Sequence, residues 1–231
     1  MLKFFQNTPG ILAVMSERED GSMKLAPDNA NAENRKEFFA KIAAEKVISA
    51  DLENGTNAAI VSASSPPIIS SADALVTSEK NIYLSITVAD CIPVYFYETE
   101  NKIIALAHCG WRGICGGIIQ NTLEKIFMLG GKAENIKMAL GPGINKCHFE
   151  IKLDILDRFT DYPDFVVKHE EKVFVDLKGI IKKQLDDFGI KEENIENNQE
   201  CTFENAEKYF SYRRDKPLNI EAMAVAIGLI G

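Results

Sequence analysis

The run IYLSITVADCIPVYFYETENKIIALAHCGWRGICGGIIQNTLEKIFMLGG, residues 82–131, decides how this chain is read. Ile82–Val88, Pro93–Tyr97 and Ile103–Ala107 are short runs of β-branched and aromatic residues separated by small or polar ones, which predicts three strands. From Ile114 the period changes. Ile114, Ile118, Ile119, Thr122, Leu123, Ile126 and Phe127 recur at helical spacing, predicting one amphipathic helix that stops at Gly130-Gly131.

Outward from this centre the elements stay interleaved. Ile11–Met15, Val47-Ile48, Ala58–Val61, Ala74–Val76, Ile136–Leu140, Lys172–Val175 and the apolar tail Ala222–Ile230 predict strands. Phe38, Phe39, Ile42 and Ala43 place a helix after Glu33, and residues 16–32 read as a polar loop. Ile151–Phe159 and Asp176–Phe188 predict two further helices, the second with Asp176 as N-cap and Gly189 as stop. No repeat, low-complexity tract or linker divides the chain, so one α+β domain over residues 1–231 is expected.

Composition narrows the function classes. A chain of 231 residues can bury a sizeable core without disulfides or a structural metal. With 34 acidic against 26 basic side chains, a net charge of −8 and no Lys/Arg block, nucleic acid and anionic membrane surfaces are disfavoured as partners. A local basic pocket for a small phosphate is not. No run reaches the ~18 apolar residues of a membrane span, and Pro9-Gly10 interrupts the first segment before a signal sequence develops, so a cytoplasmic location is expected. The five cysteines, Cys91, Cys109, Cys115, Cys147 and Cys201, are odd in number and scattered, unlike a secreted disulfide framework.

The three histidines can be weighed singly. His169 lies in the charged turn Val166–Glu171 and reads as an exposed bystander; His148 reads as a polar residue after a loop. His108 ends an apolar strand and opens His108-Cys109-Gly110-Trp111-Arg112-Gly113, a strand-to-helix loop of the kind that touches ligands. Cys91 follows an acidic residue between two strands. It is either a buried small hydrophobe or, with His108, a nucleophile–base pair, a soft-metal ligand pair or a redox thiol. Arg112, at a helix start, suits either a phosphate or a plain surface ion pair. Cys109 and Cys115 fit packing roles. The Phe210–Asp215 segment joins aromatics to two arginines, which suits a planar ligand or a solvated turn equally.

These clusters, in this order, resemble the bacterial laccase-domain proteins, also called multicopper polyphenol oxidoreductases. The matching pieces are Ala72–Thr77 (ADALVT), Thr87–Pro93 (TVADCIP), Ala107–Gly113 (AHCGWRG), Leu140–Ile144 with Cys147 and Glu150, and Phe210–Asp215 (FSYRRD), from about Ser16 to the end of the chain. The resemblance implies an α+β fold of layered sheets flanked by helices, similar to cysteine-hydrolase-like toxin domains. It implies a purine nucleoside phosphorylase acting on adenosine, inosine or methylthioadenosine, with adenosine deaminase activity. A peptidoglycan-editing type of Cys–His hydrolase and a degenerate nucleoside binder are the alternatives. Copper-dependent phenol oxidation ranks last, since three histidines cannot ligate a blue copper and a trinuclear centre.

In the family one metal, usually zinc, sits on a His, a Cys and a second His. The Cys falls on Cys91 and the second His on His108, but Asn54 stands where the family has its first His. An amide oxygen is a weak ligand for zinc, so a zinc ion held weakly or not at all is expected, and deamination should suffer more than phosphorolysis. Arg112, Asp73 and Asn54 are expected to serve the substrate and phosphate. Near the end, Glu221-Ala222 replaces a Gly-Arg pair of the family, and a carboxylate there opposes an anionic substrate.

Overall fold

The computed structural model describes residues 1–25 and 30–230. One six-stranded sheet has the order β1 (Leu2–Phe4), β2 (Ile11–Met15), β15 (Met223–Leu229), β7 (Tyr83–Val88), β3 (Val47–Asp51), β5 (Ile68–Ser70). A second has the order β14 (Ile195–Asn197), β10 (Ile136–Leu140), β8 (Ile92–Glu98), β9 (Ile103–Cys109), β6 (Ala74–Thr77), β4 (Ala58–Ile60). A small third sheet joins β11 (Glu150–Ile151), β13 (Lys172–Val175) and β12 (Val166–His169). The helices are α1 (Ala32–Lys41), α2 (Trp111–Gly116), α3 (Ile118–Met128), α4 (Leu177–Asp187) and the single turn α5 (Tyr212–Asp215).

The two-residue period of a strand sorts the side chains into layers. In β9, Ile104 and Leu106 pack between the two large sheets with Tyr95, Tyr97, Leu84 and Ile86. Their neighbours Ile103, Ala105, Ala107 and Cys109 face the other way, onto α3, α4 and the small sheet. On the far side of the first sheet, Phe38 and Phe39 of α1 cover Val14, Tyr83, Ala224 and Ala226. The order is helix, sheet, sheet, helices. Burial on both faces is why the central strands read as continuous apolar runs. The result is the α+β class with layered sheets that the sequence predicts.

The chain changes sheets between β7 and β8, through Ala89, Asp90 and Cys91, with Asp90 in the left-handed region at φ 83°. That crossing puts Cys91 at one end of the sandwich.

Three expectations need correction. The helix predicted from Ile114 to Phe127 is two helices, broken at Gly117 with φ 97°. The break lets α2 lie against the loop at Gly55-Thr56: a Cβ on Gly113 would meet the Gly55 carbonyl oxygen at 2.8 Å, and one on Gly116 the Thr56 methyl at 2.7 Å. Ile151–Phe159 is not an α-helix but a two-residue strand followed by a 3-10 helix, Leu153–Phe159, in which only Phe159 is buried. With so little apolar face, no packing holds a full α-helix there. The turn read over Val166–Glu171 is strand β12 running into a tight reversal at Glu170. His169 is exposed there. Part of the polar loop predicted over residues 16–32 falls on 26–29, outside the described residues. Among the described residues no helix is long and apolar enough to cross a membrane.

Candidate active site

Strand parity carries His108 to the same face of β9 as Ile104 and Leu106, so the imidazole is buried between the sheets. There its Nδ1 lies 3.3 Å from Oδ1 of Asp73, and its backbone N–H donates to the Asp73 carbonyl at 2.8 Å. The other Asp73 carboxylate oxygen accepts the Gly55 amide at 2.8 Å. The Cys91 sulfur lies beside the other edge of the ring. Burial opposes a charge on the ring, but the Cys91 sulfur and the Asp73 carboxylate push its pKa up to about 9. Burial likewise opposes the charge of Asp73. The His108 bond and the Gly55 amide outweigh it and hold the carboxyl below the ordinary range.

Gly110 marks the centre of the site. A Cβ built there would lie 3.0 Å from Sγ of Cys91, 3.7 Å from Oδ1 of Asn54 and 3.7 Å from Cε1 of His108. The Cys, the His and the Asn in place of the family's first His therefore converge on one small space floored by a glycine.

Above it open two adjoining lobes that share Asn54, Ala89, Cys91, Arg112 and Tyr212. One, about 240 Å³, is walled by Trp111, Ile144, Phe149 and Leu177. The other, about 330 Å³, reaches His108, Thr87, Lys24 and Ala222. The Arg112 guanidinium lies 4.5 Å over the Trp111 ring, and among the described residues no carboxylate comes within ion-pair distance of it. Helix α2 is only six residues long, so attraction for an anion rests on this side chain rather than on a helix dipole. Glu221 is exposed beside the second lobe.

Asp73 stands behind His108 and touches substrate space only through it. The Phe210–Asp215 segment divides its work. Arg214 is tied to Asp215 and to the carbonyls of Thr202 and Tyr209, while Tyr212 is exposed at the lip of both lobes. Sequence reasoning passed over Asp90 and the apolar wall. The Asp90 carboxylate is buried and accepts the Thr202 hydroxyl at 2.6 Å and the Arg213 amide at 2.7 Å, so it locks the Cys91 loop to the end of the chain. A carboxylate inside an otherwise apolar stretch was the available signal. Ile144, Phe149 and Leu177 carry no such mark.

As a metal site, this cluster offers one thiol, one imidazole and one amide oxygen. Zinc prefers three or four thiolate, imidazole or carboxylate donors, and the set does not fit a firmly held ion. Among the described residues, the one place where three such donors converge is elsewhere, at Cys147, His148 and Cys201.

Residues 22–229 match the family model for multi-copper polyphenol oxidoreductase laccase. Two similar proteins are both named purine nucleoside phosphorylase. One, from Staphylococcus aureus, is 33% identical over 149 residues, covering 62% of this chain and 55% of the relative. The other, from Haemophilus influenzae, is 35% identical over 153 residues, covering 62% and 60%. The chain thus spans little more than half the length of these relatives. Among solved structures, YlmD of Geobacillus stearothermophilus superposes with a TM-score of 0.87 at 22% identity over 96% of this chain and 93% of that one. A Neisseria meningitidis protein gives 0.85 at 24% over 100% and 99%. The fold, and a family match that takes in the Cys91, His108 and Arg112 cleft, place this chain in the multi-copper polyphenol oxidoreductase laccase family.

Proposed function

We propose that this chain is a purine nucleoside phosphorylase-type transferase that splits nucleosides with inorganic phosphate and works without a firmly held metal. In that reaction a phosphate oxygen bonds to the anomeric carbon of the sugar as its bond to the purine breaks, and the departing purine takes a proton. The observation that carries the reading is the buried His108, its Nδ1 held from behind by the Asp73 carboxylate at the floor of a cleft whose lip carries Arg112. The imidazolium is the proton source for the leaving base, and Asp73 positions it. Arg112 draws in phosphate. Trp111 and Tyr212 supply aromatic faces for the purine. The names of relatives about a third identical over the matched segment support the same chemistry. Adenosine, inosine and methylthioadenosine are the substrates to try first.

The test is base release from inosine as phosphate is varied. Release should saturate with phosphate. Arg112→Ala should raise the KM for phosphate by about tenfold or more and leave that for inosine within about threefold, while His108→Ala should lose on the order of 10² in rate or more. Base release indifferent to phosphate would remove the reading.

One observation favours a second reading. Asp73, His108 and Cys91 form a carboxylate–imidazole–thiol row, the order used by cysteine hydrolases. In that case an amide or ester substrate would leave an acyl group on Cys91, visible by mass spectrometry.

A further inference from the structure

Outside the lining of the two lobes, two turns bring together four donor side chains that nucleoside cleavage does not use. Cys147 and His148 belong to the turn between β10 and β11, and Cys201 and Glu204 to the segment between β14 and α5. Nδ1 of His148 lies 3.1 Å from Sγ of Cys147 and 3.8 Å from Sγ of Cys201. Oε1 of Glu204 is 3.5 Å from the Cys147 sulfur and 3.5 Å from the same Nδ1. Around a tetrahedral zinc with bonds of about 2.0–2.3 Å, ligand atoms sit about 3.3–3.8 Å apart. The Cys147, His148 and Cys201 donor atoms all lie within 4.8 Å of one another, close enough for one ion to draw them in, and Glu204 stands beside two of the three. Two features prepare the donors. The Asn145 amide donates to the Cys201 sulfur at 3.3 Å, which fixes where the sulfur sits, and the His148 ring is stacked on Phe203 at 4.3 Å, which fixes where Nδ1 points.

We infer that Cys147, His148, Cys201 and Glu204 form a zinc-binding site separate from the Cys91 cleft, closing the 145–149 turn onto the 201–204 segment. Its role is a clamp. Thr202 of the second segment donates its hydroxyl to the Asp90 carboxylate, Ile144 next to the first donates its amide to the Asp90 carbonyl, and the first carries Phe149 of the cleft wall. An ion bridging them stiffens the loop on which Cys91 sits without touching substrate.

The test uses the full chain in a Cys91→Ser background, which removes the thiol of the cleft. Zinc is measured after dialysis, and Co²⁺ is then titrated into the stripped protein. About one equivalent of zinc should be retained, Co²⁺ should give a thiolate-to-metal absorption band, and stripping should lower the Tm. Cys147→Ser, at an exposed position, should lose the retained zinc and the effect of stripping on Tm. Glu204→Gln, also exposed, should weaken zinc by about tenfold or more and leave the thiolate band in place. Retention of the full zinc content by Cys147→Ser overturns the site, as does a protein that binds no zinc with its thiols free, or one in which Cys147 and Cys201 pair as a disulfide and exclude metal.

Discussion

Gly110→Ala is the sharpest probe of the cleft, because the added methyl reaches it and little else. The backbone at Gly110 is extended, φ −78° and ψ 163°, so alanine adopts it without strain. Replacing a glycine at such a position stabilises by roughly 0.4–1 kcal/mol through the unfolded chain. The opposing cost comes from one contact, 3.0 Å to the Cys91 sulfur, which must give by a few tenths of an ångström. The two effects leave global stability within about 1 kcal/mol of the parent, as read by chemical denaturation. The site pays differently. The methyl occupies the space on which Cys91, Asn54 and His108 converge and pushes the sulfur from His108. A misplacement of this order costs about 10² in rate where groups must be aligned. Phosphate-dependent turnover of inosine should fall by about that factor in a protein whose stability stays within about 1 kcal/mol of the parent. A kcat/KM within threefold of the parent would refute the placement of the reaction over Gly110.

Other perturbations test separate links. Asp73→Asn removes the charge behind His108, so the ring loses its proton more readily; kcat should fall by about 10² or more with KM little changed, and the alkaline limb of the pH–rate profile should move down from near pH 9. Asn54→His supplies the missing imidazole, and at φ 58° Asn54 sits in a region histidine also tolerates. Made in a Cys147→Ser background, it should gain about one equivalent of zinc by metal analysis over the same protein with Asn54, and no gain would mean that Cys91 and His108 are not placed as ligands. Lys178 is buried with its ammonium on the Asn198 carbonyl, and burial pushes its pKa down to about 8 from the ordinary 10.5. A depressed lysine disfavours the folded state below its folded pKa. Stability should therefore rise by about 3 kcal/mol between pH 8 and 10.5, and Lys178→Met should lose that rise when the two denaturation curves are subtracted.

The fold was legible where burial on both faces made strands continuous. Ile11–Met15 and Ile136–Leu140 have the bounds the sequence predicts, and Lys172–Val175 has them too, as an alternating strand with Lys172 exposed and Val173 and Val175 buried. The short strands β1, β5, β12 and β14 were not legible, because hydrogen bonds from a neighbour rather than their own side chains make them strands. The break at Gly117 was hidden for a related reason. Glycines inside a helical pattern are often tolerated, and the cause of the break lies at Gly55 and Thr56, far away in sequence. In the candidate site, His108 stood out as a polar residue ending an apolar strand and Cys91 as a thiol after an acidic residue between two strands. Their link to Asp73 depends on the pairing of β6 with β9, Ala74 opposite Ala107, which no local pattern contains. Cys147 and Cys201 read as isolated thiols until the bridge between Gly143 and Cys201 brought their segments together.

The central claim is that phosphate, not water, takes the sugar in the Cys91–His108–Arg112 cleft. It is tested most directly by the products of inosine cleavage in phosphate buffer, followed by phosphorus NMR with chelator-treated protein. The account predicts one ribose 1-phosphate for each hypoxanthine released, and loss of both in His108→Ala. Free ribose in place of the phosphate ester, or cleavage undiminished in His108→Ala, would contradict it.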